Sequence, residues 1–136
     1  MVFTLVLLSF WQLYNSEGSK PFRETNYEPE IFWQETADYS VLGYKFNTFQ
    51  LGFNHMSNGQ SGLSSRSWNR IFASVVFSDQ DDIYYLKTWY RIPEDDKEDP
   101  LDPTGDDNPD IENYYGRMEF GYGRKLGNFK VMALLR

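Results

Sequence analysis

Apolar and polar residues alternate with a period of two along most of this chain. In residues 44–55, Phe49, Leu51 and Phe53 fall on one face and Thr48, Gln50, Gly52 and Asn54 on the other. Residues 69–78 set Ile71, Ala73, Val75 and Phe77 against Arg70, Phe72, Ser74 and Ser78. In 83–92, Tyr84, Leu86, Tyr90 and Ile92 alternate with Tyr85, Lys87, Trp89 and Arg91. In 114–125, Met118, Phe120 and Tyr122 alternate with Arg117, Glu119, Gly121 and Gly123. This is the periodicity of strands, and no helical period competes with it.

The pattern predicts an all-β fold of about seven strands, over 2–14, 25–39, 43–55, 66–78, 83–92, 111–125 and 128–136. The intervening segments alternate in length. Residues 15–24, 56–65 and 93–110 are long and polar, whereas 40–42, 79–82 and 126–127 are short. An antiparallel up-and-down meander would therefore gather its long loops at one end and its tight turns at the other. Membrane β-barrels show that asymmetry. A soluble sandwich or a lipocalin-like barrel is the alternative, because periodicity alone does not say which face is inside. Lys45, Arg70, Lys87, Arg91, Arg117 and Glu119 lie on the polar side and suit either water or a hydrogen-bonded lumen.

The chain has 136 residues, enough for one domain. It has no apolar run long enough for a transmembrane helix. The apolar start, Met1 to Trp11, lacks a basic segment and a small-residue cleavage site, so it reads as a strand, with a signal-anchor remnant as the alternative. Having no cysteine removes disulfides, thiol nucleophiles and zinc–thiolate sites. A single histidine, His55, removes multi-histidine metal centres. The net charge of −7 argues against nucleic acid as a partner. Nine of the 20 acidic residues and four of the six prolines lie in 93–110, which is expected to be an external acidic loop. Its carboxylates could also help to hold a hard cation such as calcium.

The residues that bear chemistry cluster in Asn54-His55-Met56-Ser57-Asn58-Gly59-Gln60 and Ser64-Ser65-Arg66-Ser67-Trp68-Asn69-Arg70. His55 and Ser57, two apart on a strand, lie roughly 6.6 Å apart on the same face, as a general base and a nucleophile need. Asn69 is the candidate to hold the imidazole tautomer. If His55 sits opposite Asn69 in a hairpin, the same register pairs Phe53 with Ile71, Leu51 with Ala73 and Phe49 with Val75. All these pairs are apolar, and a one-residue slip would destroy the match. The site would then continue an apolar stripe and meet its substrate from a bilayer.

Asn54-His55-Met56-Ser57-Asn58-Gly59 followed by Ser65-Arg66-Ser67-Trp68-Asn69-Arg70 resembles the signature of the outer membrane phospholipase A family. Three further segments agree in order and spacing: Trp11-Gln12-Leu13, Pro21 to Pro29, and Asp106-Asp107-Asn108-Pro109-Asp110-Ile111. The resemblance covers about residues 9–130. It implies a twelve-stranded outer-membrane β-barrel of Gram-negative bacteria. Its expected activity is calcium-dependent hydrolysis of acyl esters in phospholipids and lysophospholipids, carried out as a homodimer.

By that resemblance Ser57 is the nucleophile, His55 the base and Asn69 its orienting partner. The Gly59 N–H would serve the oxyanion hole. Calcium would be held by the Ser65 hydroxyl, the Gln60 carbonyl and a carbonyl matching Ser19 of the other subunit. Asp107 would belong to a second calcium site, weakened because Gly62 stands where the family has an aspartate. Gln60 itself stands where an arginine is usual. Met1–Leu8 does not match the family, and seven strands of about twelve cannot close a barrel, so the chain is expected to be a fragment. The competing readings are a non-catalytic, porin-like barrel piece with a vestigial site, and a soluble acidic calcium-binding sheet.

Overall fold

The structure, a computed structural model, describes residues 1–11, 22–99, 102, 105–106 and 108–136. Seven strands form one sheet: β1 (Val2–Trp11), β2 (Phe22–Val41), β3 (Tyr44–Ser57), β4 (Ser67–Asp79), β5 (Asp82–Ile92), β6 (Met118–Leu126) and β7 (Phe129–Leu135). Each pairs antiparallel with the next, so strand order follows chain order. The three short links are two-residue turns at Leu42-Gly43, Gln80-Asp81 and Gly127-Asn128. The connections over 58–66 and 93–117 leave from the opposite end, which is the predicted asymmetry.

The sheet curls into part of a barrel, and its two faces have inverted chemistry. Outward-facing Trp33, Phe49, Leu51, Phe53, Ile71 and Tyr90 are exposed. Inward-facing Asn26, Glu28, Glu30, Asn54, Arg70, Ser74 and Glu119 are buried. This decides the question that periodicity leaves open: the polar face is inside, as in a membrane barrel. The buried charges are paired. Arg70 Nη2 donates to Glu28 Oε2 at 3.2 Å and Arg70 Nε donates to Asn54 Oδ1 at 2.8 Å. Lys87 pairs with Glu30.

An apolar plug fills the interior at the long-loop end, where Phe32, Met56, Trp68, Phe72, Trp89 and Ile111 are buried together and Tyr115 packs against them. The Arg70 guanidinium lies 4.3 Å from the Trp68 ring and 5.2 Å from that of Trp89, so it joins the plug to the ionic network.

The expected strand over 111–125 begins late. Residues Glu112–Tyr115 form one turn of helix, α1, and pairing to β5 starts only at Met118 opposite Thr88. Ile111 and Tyr115, four apart, share one side of that turn, which lets both reach the plug. β2 is longer than expected, because Phe22 and Glu24 pair with the end of β1 and Ser40–Val41 with the start of β3. Residues 12–14 of the expected first strand lie outside the described residues.

Candidate active site

β3 and β4 pair in the register that the apolar stripe predicts. His55 stands opposite Asn69, Phe53 opposite Ile71, Leu51 opposite Ala73 and Phe49 opposite Val75. Alternation along β3 sends Asn54 and Met56 inward to the buried network and plug, and leaves His55 and Ser57 on the outer, apolar face. The site is thus mounted on a strand whose alternate side chains are locked inside.

His55 Nδ1 lies 2.9 Å from Asn69 Oδ1. The amide oxygen can only accept, so this contact calls for a proton on Nδ1, which in the neutral ring leaves Nε2 its lone pair. The other side of the Asn69 amide is also held: Nδ2 donates to Glu94 Oε1 at 2.8 Å. Glu94 escaped the sequence reasoning, although a signal was present. Tyr90, Ile92 and Glu94 keep the period of two, Ile92 pairs with Asn69, and Pro93 ends the ladder just before Glu94.

After β3 the chain turns sharply. Gly59 has φ +69°, a conformation that costs a residue with a Cβ roughly 1–2 kcal/mol. The turn aims the Gly59 N–H back at Ser57, where it donates to Oγ at 3.2 Å. A backbone donor therefore sits beside the hydroxyl expected to be the nucleophile.

Asn58, a second residue given no role from sequence, braces the loop. It is buried, its Oδ1 accepts from the backbone N–H groups of Gln60 (3.2 Å) and Arg66 (3.0 Å), and its Nδ2 donates to the Ser64 carbonyl at 2.8 Å. This staples the loop segment carrying Gln60 to the one carrying Ser65, on either side of the 3-10 turn Gly62–Ser64. Asn108 Nδ2 donates to the Ser65 carbonyl at 3.4 Å, which ties the acidic loop to the same place. Ser19 and Asp107 lie outside the described residues. Among the described residues no group of three or more His, Cys, Asp or Glu side chains gathers as a metal site. The hydroxyl and carbonyl oxygens that this loop carries are donors suited to calcium.

The acidic loop packs back on the barrel end. Arg91 forms an ion pair with Asp106 and donates to the Pro109 carbonyl at 3.0 Å. The Asp106 N–H donates to the Asp95 carbonyl at 2.8 Å, next to Glu94.

Comparison with known proteins identifies the family and the fold. The sequence model of the family described as Phospholipase A1 matches residues 1–136, and so includes Met1–Leu8, which the resemblance was expected to leave out. Phospholipase A1 of Escherichia coli (strain K12) is 40% identical over 125 residues, which are 92% of this chain and 40% of that protein. A putative phospholipase A1 of Neisseria meningitidis serogroup B is 39% identical over 134 residues, 94% of this chain and 33% of that protein.

Among solved structures, outer membrane phospholipase A from Escherichia coli superposes with a TM-score of 0.78 at 37% identity, covering 97% of this chain and 51% of that one. The Salmonella typhi outer membrane phospholipase dimer with bound calcium gives the same TM-score and identity over 97% of this chain and 48% of that one. An Escherichia coli variant whose active-site asparagine is replaced by alanine gives 0.74 at 38% identity, over 94% and 46%. The chain thus spans about 40% of the curated enterobacterial relative and about half of the solved barrels. With the whole chain matched by one family, and its strands by that family's barrel, this protein belongs to the phospholipase A1 family.

Proposed function

We propose that this chain carries the acyl-ester hydrolase site of a calcium-dependent outer-membrane phospholipase, with Ser57 as nucleophile, His55 as general base and Asn69 as the residue that orients it. The reading rests above all on the 2.9 Å contact of His55 Nδ1 with Asn69 Oδ1, made on the same outer face as Ser57. The structural relative with an active-site asparagine variant supports the third role.

The chemistry follows from the geometry. Ser57 Oγ attacks the acyl carbonyl carbon of a phospholipid or lysophospholipid as His55 Nε2 takes its proton. The carbonyl oxygen becomes an oxyanion beside the Gly59 N–H. The intermediate collapses, the ester oxygen leaves as an alcohol and takes the proton from Nε2, and the acyl group stays on Ser57. A water deprotonated by the same Nε2 then attacks the acyl carbon, the bond to Oγ breaks, and Nε2 returns the proton to Ser57 as the fatty acid is released. Exposed Phe49, Leu51, Phe53 and Ile71 beside the site provide an apolar surface along which acyl chains can lie.

The Gln60 carbonyl and the Ser65 hydroxyl are the oxygens of this chain that would hold calcium, joined by the Ser19 carbonyl of a second copy in a homodimer. When bound, the ion supplies positive charge next to the oxyanion. The calcium-bound dimer of the Salmonella typhi relative supports this part of the reading. Asp107 is assigned to a second, weakened calcium site, and residues 93–110 to an external loop of a single barrel domain.

The test is phospholipid hydrolysis in detergent micelles by the chain and by its Ser57→Ala variant, with calcium and with chelator, together with labelling by a serine-directed sulfonyl fluoride. Labelling confined to chains that carry Ser57 is expected. Equal labelling of the Ser57→Ala variant would overturn the assignment and leave a non-catalytic barrel.

A further inference from the structure

We propose that Glu94 is a positioning residue that fixes the amide of Asn69 and, through it, the tautomer of His55. The inference deepens the reading of His55 as general base and rests on it for its meaning in catalysis.

Three groups stand in line on the outer face. Glu94 Oε1 lies 2.8 Å from Asn69 Nδ2, and Asn69 Oδ1 lies 2.9 Å from His55 Nδ1. An asparagine amide has two orientations that fill nearly the same space, and only one serves the base. With Oδ1 toward the ring, Nδ1 is protonated and Nε2 is free to take a proton from Ser57. With the NH2 toward the ring, Nδ1 becomes an acceptor, the proton moves to Nε2, and the base faces the nucleophile already protonated.

Nothing about Asn69 itself selects between the two orientations. An ionised carboxylate does select, because it only accepts. The amide edge facing Glu94 has to be the nitrogen, since the reverse orientation would set two acceptor oxygens against each other. The hydrogen bond is charge-assisted and therefore stronger than a neutral one.

The surroundings hold Glu94 in place. Pro93 has no N–H to continue the ladder, so the chain leaves β5 immediately after Ile92, the pairing partner of Asn69. The next residue, Asp95, is tethered by the Asp106 N–H at 2.8 Å, and Asp106 is in turn paired with Arg91 of β5. The start of the acidic segment thus has a chemical task that its composition does not reveal.

His55 is the only histidine, so its ring nitrogens can be observed without overlap in the whole chain folded in detergent. The experiment measures the tautomer of the neutral ring by 15N NMR in the unaltered chain, Glu94→Ala and Glu94→Gln. The unaltered chain is expected to show the Nδ1–H form. Glu94→Ala should raise the Nε2–H population about tenfold, the effect of removing one charge-assisted bond. Glu94→Gln keeps an acceptor oxygen and should restore the Nδ1–H form. An unchanged tautomer in Glu94→Ala, or a Glu94→Gln spectrum identical to that of Glu94→Ala, overturns the proposal. The outcome is separable from the phospholipase reading: failure of Ser57 to react with a sulfonyl fluoride sinks that reading, while the tautomer comparison still decides the role of Glu94.

Discussion

His55 and Asn69 face each other across β3 and β4 with Nδ1 and Oδ1 2.9 Å apart, on the same outer stripe as the apolar pair Phe53 and Ile71. The proposed catalytic contact is thereby a cross-strand pair of the sheet, set by the same register that aligns the apolar residues. Asn69→Ala leaves that register intact and removes only the acceptor that holds the ring. Turnover should fall by roughly one to two orders of magnitude, less than for Ser57→Ala, because His55 remains and orientation alone is lost. Steady-state kinetics on micellar phospholipid will check this; equal losses in the two variants would contradict a purely orienting role.

Gly59 would couple backbone conformation to the proposed oxyanion hole. Its φ of +69° turns the N–H toward Ser57 Oγ. A Cβ there would meet only the Tyr27 ring, at 3.6 Å, so space is not the obstacle and conformation is. Gly59→Ala should cost stability by about 1–2 kcal/mol. If the turn relaxes and moves the N–H, kcat should fall about 100-fold or more. A thermal melt and kcat from the same preparation would separate the two effects. A variant with full kcat would remove Gly59 from the oxyanion hole.

Arg70 stands directly behind the site, next to Asn69 in sequence but on the inner face. It is nearly inaccessible to solvent, bonds Glu28 and Asn54, and lies between Trp68 and Trp89. Arg70→Ala would leave the buried Glu28 carboxylate to its longer contact with Arg136 Nη1, at 4.0 Å. The expected loss is about 3 kcal/mol, since breaking a buried pair leaves a charge that the longer contact compensates only in part. Replacing Arg70 and Glu28 together by Met and Gln should recover part of it. Urea unfolding in detergent, followed by tryptophan fluorescence, measures both. Equal stability of the single and double variants would refute the pairing argument.

Much of this was legible in the sequence, for a physical reason. Side chains on a strand alternate strictly, so Phe49, Leu51 and Phe53 could match Val75, Ala73 and Ile71 in only one register, and that register delivers His55 to Asn69. Which face was inside could not be read, because a period of two is the same inside out. The burial of Arg70 and Glu30 beside the exposure of Leu51 and Ile71 resolves it. The turn of helix at Glu112–Tyr115 escaped because four residues are too few to show a helical period. Glu94 and Asn58 escaped for a different reason. Both act through hydrogen bonds between segments, from Glu94 to Asn69 and from Asn58 to Ser64 and Arg66; the period of two puts Glu94 on the face of Ile92, but spacing alone does not name the partner of either residue.

Asn58 supports the last prediction. Its buried amide joins the Gln60 and Arg66 N–H groups to the Ser64 carbonyl, so it sets the separation of the two segments that would offer oxygens to calcium. Asn58→Ala removes all three bonds but leaves Ser57, His55 and Asn69 in their strands. The calcium concentration needed for half-maximal turnover should rise about 10- to 100-fold, the usual effect of losing a group that orients metal ligands. Saturating calcium should restore most of kcat. Asn58→Asp keeps the two acceptor bonds to backbone N–H groups and should lie between the two. A calcium titration of the three proteins reads this directly. If Asn58→Ala lost kcat at saturating calcium while keeping the original calcium requirement, the brace would serve the nucleophile turn and not the metal loop.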